Sequence, residues 1–133
     1  MTDQELVKRF FAEGYTAGNY GLVMEYLSED YVDHSPAGAR GNGEAVDILK
    51  IVAEQFSPLE AAVEDVFSEN GMVAARVRYE GIHTGTWMGI SATGKRVCFE
   101  ALEHFRVRDG KIVESWGYWP DMEIRRQLLE KEE

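Results

Sequence analysis

Val97 to Trp119, VCFEALEHFRVRDGKIVESWGYW, is the stretch whose reading decides the fold. Apolar and polar residues alternate from Val97 to Val107, Asp109-Gly110 follows, and a second extended run covers Lys111 to Trp119. Period-two alternation on both sides of an Asp-Gly pair reads as an antiparallel hairpin. Parity places Phe99, Ala101, Glu103 and Phe105 on one face of the first strand, opposite Cys98, Glu100, Leu102, His104 and Arg106. On the second strand Ser115, Gly117 and Trp119 share a face. Upstream, Thr93-Gly94 reads as a turn and Met72 to His83 as a strand. Asn70-Gly71 joins that strand to Leu59 to Ser68 in another hairpin. Thr84 to Ile90 either continues the strand or begins a new one. Gly81, Gly85 and Gly89 are candidate bulges that would curve the sheet.

The part before Pro58 reads as helical. Thr2 and Glu5 stand in capping-box register, and Leu6, Val7, Phe10, Phe11 and Tyr15 follow at helical spacing. Gly18-Asn19 ends that helix and opens a second through Leu22, Val23, Tyr26 and Leu27, broken at Ser28-Glu29-Asp30. Tyr31 to His34 reads as a short extended piece. A glycine-marked loop leads to a third helix, about Glu44 to Phe56, and a closing helix covers Asp121 to about Lys131, with Glu130 to Glu133 a solvated end. The expectation is one α+β domain, residues 1–133, in which three N-terminal helices roof a curved, mixed or antiparallel, cone-shaped sheet and a short helix closes the chain. Such a roof encloses a cup, where a ligand would sit.

Composition narrows the function. The 14 Lys+Arg against 24 Asp+Glu give a net charge of −10, which repels phosphate backbones and argues against nucleic acid or an anionic membrane surface. No apolar run approaches a bilayer-spanning length, and the polar N-terminus is not a signal peptide. The single cysteine, Cys98, fits a reducing cytosol, so a cytoplasmic protein is expected. His34, His83 and His104 have no recognisable ligand spacing, so no metal is expected.

Three runs carry a family resemblance: Tyr31-Val32-Asp33-His34-Ser35-Pro36, His83 to Lys95, and Phe105-Arg106 with Asp109 to Trp116. Together they resemble the SnoaL-like polyketide cyclases of the nuclear transport factor 2-like superfamily. The resemblance implies a cofactor-free enzyme that closes a ring by an aldol step, using an acid/base carboxylate just after the last strand. The family pattern there is Trp, three residues, then Asp. In this chain Pro120 holds that slot after Trp116 and Asp121 follows it, so the carboxylate is displaced by one residue or absent. Ketosteroid isomerases of the same superfamily align His34 with their base and Glu103 with their protonated acid, while Phe11 stands near their tyrosine donor.

The candidate catalytic set is therefore His34, Glu103 and Asp121. His34 exchanges protons near neutrality, Glu103 on an apolar face should carry a raised pKa, and Asp121 is either the displaced acid/base or a helix N-cap. Phe99, Phe105, Ser115 and Trp119 are candidate lining for a small hydrophobic, carbonyl-bearing ligand, with Tyr15, His83 and Trp87 added. The face taken by His83 stays open, because a bulge at Gly81 or Gly85 would flip it. His104 on the outer sheet face suggests a homodimer contact. The alternatives are a non-catalytic dimeric binder of the same fold or, less well supported, an epoxide hydrolase.

Overall fold

The computed structural model describes residues 1–131. Helix α1, Asp3–Phe11, opens on the expected capping box: Thr2 Oγ1 accepts from Glu5 N–H at 3.1 Å, and Thr2 N–H donates back to Glu5 Oε2. It continues as a π-helical turn, Ala12–Thr16, closed by the Ala17 N–H to Ala12 carbonyl bond. Next come α2, Tyr20–Tyr26, and strand β1, Leu27–Asp33. The other elements are α3, Gly41–Gln55, β2, Phe56–Glu69, β3, Met72–His83, β4, Arg96–Arg108, β5, Lys111–Gly117, and α4, Asp121–Leu129. Of the expected solvated end, Glu132 and Glu133 lie outside the described residues.

The five strands form one open mixed sheet in the order β1-β5-β4-β3-β2. β1 runs parallel to β5, and every other pair is antiparallel. Phe99, Ala101, Glu103 and Phe105 of β4 are all buried, whereas Cys98, Glu100, Leu102 and His104 are exposed, as the alternation requires. Helices α1 to α3 pack on the inner side around Leu6, Val7, Phe11, Val23 and Leu49, each at most 5% exposed.

Several boundaries depart from the sequence reading. Leu27 starts β1 instead of ending α2, and the expected break at Ser28-Glu29-Asp30 lies within that strand. Leu27 is buried as it would be in either element, so hydrophobic pattern alone could not choose. α3 starts at Gly41 rather than Glu44, because Asn42 donates its side-chain amide to the carbonyls of Met24 and Leu27 and anchors a first turn rich in glycine. β1 intervenes between α2 and α3, where the extended piece from Tyr31 was expected, and begins four residues earlier, at Leu27. Thr84 to Ile90 is neither a continued strand nor a new one. It is a loop closed by a Trp87–Ile90 bridge over Met88 and Gly89, both at positive φ.

One bulge falls where Gly81 suggested, since the β2 shift between Phe56 and Leu59 lies opposite His83 and Gly81, and the others lie away from the glycines. Register shifts fall between Phe56 and Leu59, Val63 and Asp65, Leu27 and Val32, and Arg106 and Val107, while β3 pairs β4 regularly from Met72 to Ile82. Two of the glycines also serve close approach. A Cβ on Gly81 would lie 2.9 Å from Leu59 Cδ1, and one on Gly85 only 2.5 Å from the Glu54 carbonyl oxygen. That second contact holds the Trp87 loop against the C-terminus of α3, where Thr84 and Gly85 N–H cap the Gln55 carbonyl.

Candidate functional site

Between the roof and the inner sheet face lies a cavity of about 220 Å³. Its apolar wall includes Phe10, Ile48, Val52, Trp87, Phe105 and Trp119. Its polar groups come from Tyr15, Tyr31, Asp33, Ser35, Gln55, Glu103, Ser115 and Asp121. Among the described residues, neither lysine, arginine nor histidine lines it.

Two hydrogen-bonded sets form its floor. In the first, the Tyr31 hydroxyl bonds Ser115 Oγ, and Ser115 Oγ donates to Asp33 Oδ1 at 3.3 Å. Asp33 also accepts from Ser35 N–H at 2.8 Å and Ser35 Oγ at 2.6 Å. In the second, the Tyr79 hydroxyl donates to Glu103 Oε2. Glu103 is only 8% exposed. Burial pushes its carboxyl up to about 7, with the Asp33 charge adding to the rise and the Tyr79 bond opposing it. Near neutrality this acid can therefore carry a proton and release it. Burial and the neighbouring Glu103 charge also raise Tyr15 and Tyr79, so both phenols remain donors.

Local structure explains these positions. The π-helical turn carries Tyr15, and Thr16 Oγ1 fastens that turn to β2 by accepting from Ala61 N–H at 3.0 Å. A π-turn adds a residue to the helical repeat and so changes which side chain meets the cavity. Glu103 stands across the ladder from Gly117 on β5.

Seven of the expected lining and catalytic positions meet at this cavity: Tyr15, Glu103, Phe105, Ser115, Trp119, Asp121 and, from its loop, Trp87. Asp121 is exposed at the rim as the first residue of α4. The N-cap position belongs to Pro120, so the cap reading of Asp121 does not hold. Phe99 is a second layer, stacked on Tyr79 at 5.0 Å and packed against Trp119 at 4.8 Å, and does not reach the cavity wall. His83 is on the inner face but fully buried beside Phe56 and away from the cavity. Its Nδ1 accepts from Thr93 N–H at 3.1 Å, and its Nε2 is buried without a partner.

His34 points away from the cup. Its ring stacks on Trp116 at 4.8 Å and its Nε2 lies 2.8 Å from Glu114 Oε2 on the outer face. The physical reason is alternation at the end of β1: Tyr31 and Asp33 face inward, so their neighbour His34 faces outward. Asp33 and Tyr31 were thus missed as lining residues, though their shared parity was readable in the chain. Tyr79 as the partner of Glu103 needed the β3–β4 register, which sequence does not display.

The chain is similar to several known proteins. A family model described as SnoaL-like polyketide cyclase matches residues 5–128. Aklanonic acid methyl ester cyclase DnrD of Streptomyces peucetius is 34% identical, over 97% of this chain and 92% of its own. Aklanonic acid methyl ester cyclase DauD of Streptomyces sp. (strain C5) is 33% identical, over 95% and 81%. The structure of TsrD from Streptomyces laurentii superimposes with a TM-score of 0.86 at 25% identity, covering 95% of this chain and 93% of that one.

Proposed function

Because the chain belongs to the SnoaL-like polyketide cyclase family, we propose that its cup closes a ring by an aldol step on a hydrophobic substrate bearing several carbonyls, without a cofactor. The observation that carries this reading is the meeting of Glu103 and Asp121 on one aromatic-walled cavity. Asp121 at the rim takes the proton from a carbon flanked by carbonyls. The resulting enolate carbon forms the new bond to a second carbonyl carbon. The oxygen of that carbonyl takes its proton from Glu103, so the step is an isomerisation with no atoms gained or lost. Environments that set two carboxyls apart suit them to acid and base roles. Burial supports this division of roles: Glu103 is buried with its carboxyl raised, and Asp121 is open to solvent. Asp33 is the anchor, since its oxygens already accept three hydrogen bonds. The aklanonic acid methyl ester cyclases among its relatives support ring closure on a substrate whose acid is masked as a methyl ester.

The test is deuterium exchange at the activated carbon, and ring closure, of an aromatic β-diketone with a pendant ketone, followed by NMR. Asp121→Asn and Glu103→Gln are each expected to slow ring closure about 100-fold. For the wild type, kcat/KM should fall as pH rises through about 7, where Glu103 loses its proton, and Glu103→Gln should lack that limb. Wild-type rates in both variants would overturn the assignment.

A further inference from the structure

Gly117 ends β5 directly across the ladder from Glu103 and lines the cavity. Its φ is not in the left-handed region, so the backbone there does not call for glycine. Space does. A Cβ built on Gly117 would stand 2.7 Å from Glu103 Oε1, 3.1 Å from its Cγ and 3.2 Å from its Cδ, so its three nearest neighbours would all belong to Glu103. Gly117 thus leaves a slot on the sheet floor, and the Glu103 carboxyl lies in it. Oε2 is held by the Tyr79 hydroxyl, so the oxygen over the slot is Oε1. Ala101 and Ser115 flank this part of the floor with small side chains, but neither faces Glu103 across a strand pair.

We propose that Gly117 is a positioning residue: its missing side chain holds the Glu103 carboxyl flat on the floor with Oε1 turned to the bound carbonyl. This rests on the ring-closure reading for its consequence in turnover, while the geometry of the slot is testable without turnover. A methyl group at 117 pushes Oε1 out of the slot, loosens the Tyr79 bond and adds apolar surface against the carboxyl. Losing a hydrogen bond to the ionised form and deepening burial both favour the protonated acid.

The experiment compares wild type with Gly117→Ala by carbon-13 NMR titration of glutamate-labelled protein, with the Glu103 signal assigned through Glu103→Gln. The Glu103 titration is expected to move upward from about 7 by about 1 pH unit, and the falling limb of kcat/KM to move with it. A loss of about tenfold in kcat with little change in KM is expected as well. An unmoved Glu103 signal overturns the proposal, whatever the rate does. A moved signal with unchanged turnover upholds the slot and overturns the catalytic reading of Glu103. If Gly117→Ala folds poorly, adding Glu103→Asp, one methylene shorter, should restore folded yield. A double variant as unstable as the single one would show that the glycine serves something other than Glu103, and overturns the proposal.

Discussion

An ionised carboxylate is stabilised by water, and Glu103 has little water around it. Its protonation is therefore tied to folding: with a carboxyl value raised from 4.5 to about 7, the folded chain binds a proton that the unfolded chain has released between those pH values. Stability from this group is full below 4.5 and is lost as pH rises to about 7. Glu103→Gln should accordingly raise the unfolding free energy relative to wild type by an amount that grows across this window and levels off above it, reaching roughly 3 kcal/mol as an upper bound. Urea unfolding at pH 5 and pH 8 checks this, and an equal difference at both values would contradict it. Ser115 presents the opposite case, a neutral hydroxyl serving Tyr31 and Asp33 together. Removing it leaves the buried Tyr31 hydroxyl without this partner and the half-buried Asp33 with one bond fewer, so Ser115→Ala should cost about 1–3 kcal/mol. Parity on β4 revealed Glu103 from sequence, because strand alternation is local. The same rule separates Asp33 from His34, whereas likeness to the ketosteroid isomerases favours His34, the residue that the strand turns outward.

Elements bring these residues together by contacts that no local pattern encodes. The loop carrying Trp87 is pinned to the end of α3 by Thr84 and Gly85, with the Thr84 hydroxyl donating to the Glu54 carbonyl at 3.1 Å. Gly85→Ala would drive a Cβ into that carbonyl, and backbone cannot move aside as a flexible side chain can. The expected loss is about 2 kcal/mol in stability, with weaker binding of aromatic ligands as Trp87 leaves the wall. A thermal melt and a ligand titration check the two effects, and a melting temperature equal to wild type would contradict the first. At the far end of β4, where β5 no longer pairs with it, Gln127 of α4 plays the strand's part: its amide accepts from Cys98 N–H at 2.9 Å and donates to Cys98 C=O at 2.7 Å. That contact places α4, and with it Asp121, at the rim. Helix propensity and an apolar stripe foretold α4, but only the free backbone of β4 explains where it docks.

For the molecule as a whole, two sets of acids pull stability in opposite directions with pH. Half-buried Glu80 and Glu114 and exposed Glu123 are held below the ordinary carboxyl range, chiefly by Arg96, His34 and Arg126 respectively, and that help is lost as pH falls through their lowered values. Glu103 acts the other way. The melting temperature should therefore peak at mildly acidic pH, between the ordinary 4.5 of a glutamate and the value of about 7 for Glu103. A peak above pH 8 would contradict this. By itself the sequence determined the α+β class, the faces of β4, the aromatic wall around Trp119 and Phe105, and the burial of Glu103. All of these follow from periodicity and turn chemistry, which act over a few residues. Only the tertiary structure decided that Asp121 reaches the cup despite Pro120, that Tyr79 partners Glu103, that His34 and His83 stand apart, and that Gly117 makes room for a carboxyl. Those facts depend on strand register and on close approach between segments far apart in the chain, and a linear pattern carries no measure of either.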